Sequence, residues 1–91
     1  MTQITAKVQR IADKQTRTGR MGDYEVQGIM LQPEGEERQS LYGTLFGQNI
    51  DVLQQQEIHG GDRMECGLVF TTSERNGFVS NYIEITNPRK L

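Results

Sequence analysis

Leu41-Tyr42-Gly43-Thr44-Leu45-Phe46-Gly47 alternates as a strand does and stops at Phe-Gly. A polar amphipathic segment follows, and Gly60-Gly61-Asp62 then turns the chain into another strand. Successive strand side chains point to opposite faces, so Tyr42, Thr44 and Phe46 share one face and Leu41, Gly43 and Leu45 the other. Both faces carry large apolar side chains. One of them is needed for a core, and the other is left to be stacked upon.

Upstream, Ile4, Ala6 and Val8 alternate and Ile11 breaks phase by one residue. An extra residue in a strand is a β-bulge, which bends the strand sharply enough to close a small barrel. The first strand is predicted over Gln3–Ala12. Asp13–Gly22, with Thr16, Thr18, Gly19 and Gly22, reads as a long basic hairpin loop. Tyr24–Leu31 is the second strand. Gln27, Ile29 and Leu31 share one of its faces and Tyr24, Val26, Gly28 and Met30 the other, and the pattern leaves open which is inward. Pro33-Glu34-Gly35-Glu36-Glu37 is a turn into the strand that carries Tyr42.

Downstream, Asn49 is placed as an N-cap, with Asp51 in the first turn, Ile50 and Leu53 on one side and Gly60 as the C-terminal glycine. A helix of about ten residues is too short to hold alone, so it must dock, plugging one end of the barrel with Gln54-Gln55-Gln56 as its wet face. Met64, Cys66, Leu68 and Phe70 alternate along a fourth strand, opposite Glu65, Gly67, Val69 and Thr71. Asn76-Gly77 supplies the positive-φ positions of a tight hairpin, and a fifth strand returns over Phe78–Ile85 until Pro88 stops it. Five strands with a helix between strands 3 and 4 read as an all-β, five-stranded OB-type barrel, one domain over residues 1–91.

The chain is 91 residues long, a single-domain size that buries only roughly 60% of the unfolded surface. With so thin a core, a homodimer or higher homo-oligomer is the expected state. The longest apolar runs, Ile29–Leu31 and Leu68–Phe70, are far too short to span a bilayer, and no membrane role is expected. No basic region leads into an apolar stretch at the N-terminus, so the expected address is cytoplasmic. Cys66 is the one cysteine, which excludes an internal disulfide. Ten basic against twelve acidic residues give a net charge of −2, but the charge is segregated. Lys14, Arg17 and Arg20 fall in one acid-free stretch and Arg89-Lys90 at a terminus expected to be mobile, whereas Glu34, Glu36 and Glu37 cluster in another loop.

Leu45-Phe46-Gly47 leading into Ile50-Asp51-Val52-Leu53, then Gly61-Asp62-Arg63-Met64, then Arg75-Asn76-Gly77-Phe78, resembles the pattern of small bacterial OB-fold proteins of the single-stranded DNA-binding family. The likeness runs from Ile4 to Ile85. In that family the third strand ends in an aromatic followed by Gly, and alternate side chains along it face the nucleic acid. The resemblance therefore implies binding roles for Phe46 and, on the same face, Tyr42.

Such barrels bind single strands by joining a basic groove to aromatic platforms, since every base offers a π-face and every nucleotide a phosphate. The platform candidates are Tyr24, Tyr42, Phe46 and Phe78, and the phosphate candidates are Lys14, Arg17, Arg20 and Arg75 in two loops flanking the groove. Aromatics on a small barrel also shield core edges or fill a dimer interface. On residue type alone, the exposure of Tyr42 stays open and Phe46 suits the core better than a platform. Arg38 and Arg63 have Glu36, Glu37 and Glu65 as pairing partners, in exposed pairs worth about 0–1 kcal/mol.

Catalysis finds no foothold. His59 stands beside a helix end, where it can serve the last carbonyls, with no Cys or carboxylate at metal spacing. Cys66 alternates with Met64 and Leu68 as a small apolar residue, and Gly60-Gly61 lacks the Lys-Ser/Thr of a phosphate loop. The expected function is non-catalytic binding of single-stranded DNA, with RNA the other candidate strand, and without cofactor or metal. The rival readings are an OB-fold protein-interaction or oligomerisation module and a small-molecule or oligosaccharide binder.

Overall fold

The computed structural model describes residues 2–91. Strand β1 (Thr2–Ile11) serves two partners. Its first part pairs antiparallel with β5 (Arg63–Arg75), from Thr2 opposite Leu68 to Lys7 opposite Arg63. Its second part pairs with β3 (Gly22–Pro33), from Ala6 opposite Pro33 to Ile11 opposite Ile29. The register shifts between Val8 and Arg10, where the phase break predicts it. Ala6 and Lys7 pair with both partners, and the bulge just beyond them bends the strand as the sheet closes on itself.

Six strands form, one more than expected. The extra one is β2 (Gln15–Gly19), which pairs with the first residues of β3 across an Arg20–Met21 turn, within the stretch read as a basic loop. All five of its residues are exposed. A strand that buries neither face needs no hydrophobic alternation, so periodicity gave no sign of it. The count changes the helix position. After β4 (Leu41–Phe46), α1 (Gln48–Gln55) follows the fourth strand and precedes β5, instead of lying between strands 3 and 4.

The last strand, β6 (Phe78–Lys90), pairs with β5 along its length and meets β4 in parallel at Thr44 opposite Glu84. A ring of five strands results, in the order β1-β3-β4-β6-β5 and back to β1, with β2 outside it. Val8, Ile29, Leu31, Leu45, Ile50, Met64, Cys66 and Ile85 fill the ring. Ile29 and Leu31 therefore mark the inward face of β3, and Met30 the outward one. Gly43 faces inward at the narrow parallel contact. A β-carbon there would collide with the Ile85 side chain, so this approach of β4 to β6 requires glycine.

Helix α1 closes one end with Ile50 and Leu53, both buried. Its N-cap is Gly47 (φ 48°), not Asn49. Asn49 instead uses its Oδ1 to accept from the Asn87 N–H at 3.0 Å, fastening the helix to β6. The helix stops at Gln55, and Glu57 (φ 53°) takes the left-handed position expected of Gly60. Gln54 and Gln55 are wet, but Gln56 is not free: its Nε2 donates to the Pro88 carbonyl at 2.9 Å and its Oε1 accepts from the Lys90 N–H at 2.7 Å.

Asn76 (φ 52°) and Gly77 (φ 81°) make the tight turn between β5 and β6, as their types require. Pro88 does not end β6, which runs on to Lys90. The register shifts there between Glu65 and Gly67, with Asn87 at φ 48°, so buried Pro88 sits in a bulge where no ladder N–H is called for. The terminus is also tied down: Arg89 meets Glu65 at 3.0 Å and Lys90 meets Asp62 at 3.6 Å. Arg63 pairs with Glu34 at 2.9 Å rather than with Glu36, Glu37 or Glu65. Among the described residues no helix is long and apolar enough to cross a membrane.

Candidate nucleic-acid interface

Two hairpins overrun the ring and stand as arms, β2 with the start of β3, and the far halves of β5 and β6, whose residues 72–82 are all exposed. Between the arms runs a groove of about 370 Å³. Arg17 and Tyr24 line it from one arm and Ser80, Asn81 and Tyr82 from the other, over a floor of Val26, Thr44 and Phe46. Tyr24, Val26, Thr44, Phe46 and Tyr82 all come from the outward faces of their strands. The Phe46 ring stands 6.4 Å from that of Tyr24, tilted at 38°, and 6.2 Å from that of Tyr82, edge-on at 66°. Val26 in the floor is buried, and Phe46 has a tyrosine ring beside it from each arm.

Tyr42 lies on the same outward face of β4 and is 58% exposed, its hydroxyl end resting over Gly28 of β3. Phe46, which suited the core by residue type, is half-buried on the outward face. Of the other sequence-predicted platforms, Tyr24 joins the groove while Phe78, 80% exposed beside the β5–β6 turn, does not line it. Of the predicted basic residues, Arg17 lines the groove and Lys14 is engaged by Glu25 at 3.2 Å. Arg20 and Arg75 stand at the two arm tips. Neither they nor Arg17 has an ion-pair partner among the described residues. Glu84, which pairs with Thr44, shares the outward face of β6 with Tyr82 and puts a negative charge on that face.

Sequence reasoning missed Tyr82, Phe70 and Asn81. Tyr82 could have been found, since Ile83 and Ile85 alternate inward and leave Tyr82 and Glu84 outward. Alternation groups Phe70 with buried Met64, Cys66 and Leu68, but β5 has left the barrel by then and the ring is 67% exposed.

The remaining polar chemistry is structural. The His59 N–H donates to the Asp62 carboxylate at 2.8 Å, closing the turn before β5, and this bond holds the Asp62 carboxyl below its usual range. His59 thus stands beyond a helix that has already ended, serving a turn and not the helix carbonyls expected of it. Burial pushes the Cys66 thiol up to about 11, away from thiolate chemistry. Among the described residues no three His, Cys, Asp or Glu side chains gather in a way that could hold a metal ion. No family model, curated protein or solved structure matches the chain.

Proposed function

We propose that the chain is a non-catalytic binder of single-stranded nucleic acid, DNA in the first instance, built on an OB-type barrel. The ring order supports the barrel type, with the first strand pairing to both β3 and β5 and the last strand inserted between β4 and β5, a five-stranded Greek-key closure. A single observation carries the function: Tyr24, Phe46 and Tyr82 stand about 6 Å apart along a groove walled by two arms that hold unpaired arginines. Bases stack on such rings whatever their sequence, and the arginines supply the phosphate attraction. The likeness to single-stranded DNA-binding proteins, drawn from the Phe46-Gly47 strand end, points the same way.

The test is titration of a dT oligonucleotide followed by tyrosine fluorescence at several salt concentrations. Binding that weakens steeply with salt supports the reading, because phosphate contacts release counterions. Absence of binding at about 50 mM salt, where these attractions are strong, refutes it. A second reading rests on Phe78 and Val79, 80% and 64% exposed beside the β5–β6 turn. An apolar arm end is suited to another protein surface, and a second copy of this chain is the partner we favour, measurable as a dimer by sedimentation.

A further inference from the structure

A cavity of about 310 Å³ that shares no lining residue with the groove lies where α1 closes the barrel. Ile11, Leu53 and Ile58 wall it with aliphatic side chains, and Gln27, Gln54 and His59 bring the polar ones. No Asp, Glu, Lys or Arg lines it. Gln27 stands on the inward face of β3 with Ile29 and Leu31. Its Nε2 donates to the Ala12 carbonyl at 3.0 Å, which fixes the amide, since the flipped amide would set oxygen against oxygen. Its Oε1 is shut off from solvent and accepts from nothing, the one buried side-chain polar atom left so among the described residues. Buried acceptors are almost always partnered, and one sealed off without a donor costs stability.

We propose that this cavity binds a small neutral molecule with an apolar body and one N–H or O–H donor, the donor meeting Gln27 Oε1 and the body lying against Ile11, Leu53 and Ile58. The site is independent of the single-strand reading. Each part of the ligand answers a feature of the lining. The orphaned acceptor calls for a donor. A lining without Asp, Glu, Lys or Arg gives an ionic group no counter-charge, so the ligand is neutral. One water, at roughly 30 Å³, would meet Oε1 but fill a small part of the space and leave the aliphatic walls wet. A ring covers them, since a cavity of about 150 Å³ lined by such side chains already takes benzene. Because Oε1 is sealed, entry moves a lining side chain. Gln54, exposed and with no side-chain hydrogen bond among the described residues, is free to move.

The experiment titrates wild type and Gln27→Leu with phenol and with fluorobenzene, rings of similar size of which only phenol donates, and follows backbone amide shifts by NMR. On wild type, phenol is expected to shift Leu53, Ile58 and His59 saturably at millimolar concentration. The phenol-to-fluorobenzene affinity ratio is expected to be roughly 3- to 10-fold higher for wild type than for Gln27→Leu, the worth of one hydrogen bond. Hydration of the free rings cancels in that comparison between proteins, and circular dichroism checks that the variant folds as wild type does. Wild type whose Leu53, Ile58 and His59 amides do not respond to phenol overturns the proposal without recourse to the variant, the cavity then holding water only. A ratio that Gln27→Leu leaves unchanged overturns it as well, because the donor then does not meet Oε1.

Discussion

The Tyr42 ring reaches diagonally across Gly28, its hydroxyl end occupying the place that a β-carbon of residue 28 would take. The two sit on paired strands, Gly28 opposite Thr44 and Met30 opposite Tyr42. Gly28 is buried by the ring while Tyr42 itself stays 58% exposed. One side of the phenol thus seals the sheet, and the rest is open for stacking.

Gly28→Ala is expected to destabilise the protein by about 1–3 kcal/mol, the cost of overpacking, although glycine-to-alanine changes in compatible backbone usually stabilise. In a Tyr42→Ala background the same change should turn neutral or stabilising by about 0.4–1 kcal/mol. Urea denaturation of the four proteins measures the cycle. Equal effects in both backgrounds would mean that the ring does not bear on Gly28.

Tyr42→Ala and Tyr82→Ala are each expected to weaken binding to a dT oligonucleotide by about 1–3 kcal/mol, the worth of one stacked base. Phe78→Ala, outside the groove, should leave that affinity unchanged. A loss from Phe78→Ala as large as that from Tyr82→Ala would move the interface from the groove to the arm end.

Reversing Arg17 and Arg20 to Glu should weaken every sequence alike. The slope of log K against log salt should become shallower by about 0.7 for each single-strand phosphate that is no longer neutralised. Reversing Arg89 should change the slope little, since Glu65 already engages it. Equal slopes for wild type and the Arg17/Arg20 variant would exclude phosphate binding at that arm.

The Cys66 thiol titrates near 11 in the folded chain, against an ordinary value of 9.0. Between those pH values the unfolded chain gives up the proton while the native chain keeps it, so stability is held below pH 9 and falls as pH rises toward 11. The slope approaches about 1.4 kcal/mol per pH unit in that window. Cys66→Ala should flatten it, as read from denaturation midpoints at about pH 8 and about pH 10.5, on either side of the ordinary thiol range. The same burial predicts that iodoacetamide alkylates native protein far more slowly than protein in urea.

Ile50→Ala and Leu53→Ala should each cost about 2–5 kcal/mol, because both side chains close the barrel end and leave a cavity when cut back. Gln54→Ala, on the wet face, should stay within about 0.5 kcal/mol. Thermal denaturation that ranks Gln54→Ala with the other two would contradict the docking of α1.

Whatever depends on near neighbours along the chain can be read from the order of the residues. The bulge after Val8, the Asn76-Gly77 turn, the inward set Met64, Cys66 and Leu68, and the docking pair Ile50 and Leu53 follow from strand and helix periods and from the few residues that accept positive φ. Tyr24 and Arg17 were legible as site candidates because aromatic and basic residue types declare their chemistry anywhere in a chain. What depends on the strand opposite and on where the barrel ends is set by the folded chain. It made Gln15–Gly19 a strand, since an arm wet on both faces has a ladder but no pattern. It kept β6 going through Pro88, since a bulge there removes the need for the missing N–H. It turned Phe70 from a core residue into an exposed one, and set Tyr24 and Tyr82 on either side of Phe46, because two arms overrun a small ring and face each other across it. Alternation tells which side chains share a face; the closure of the ring decides whether that face meets the core, the solvent or the groove.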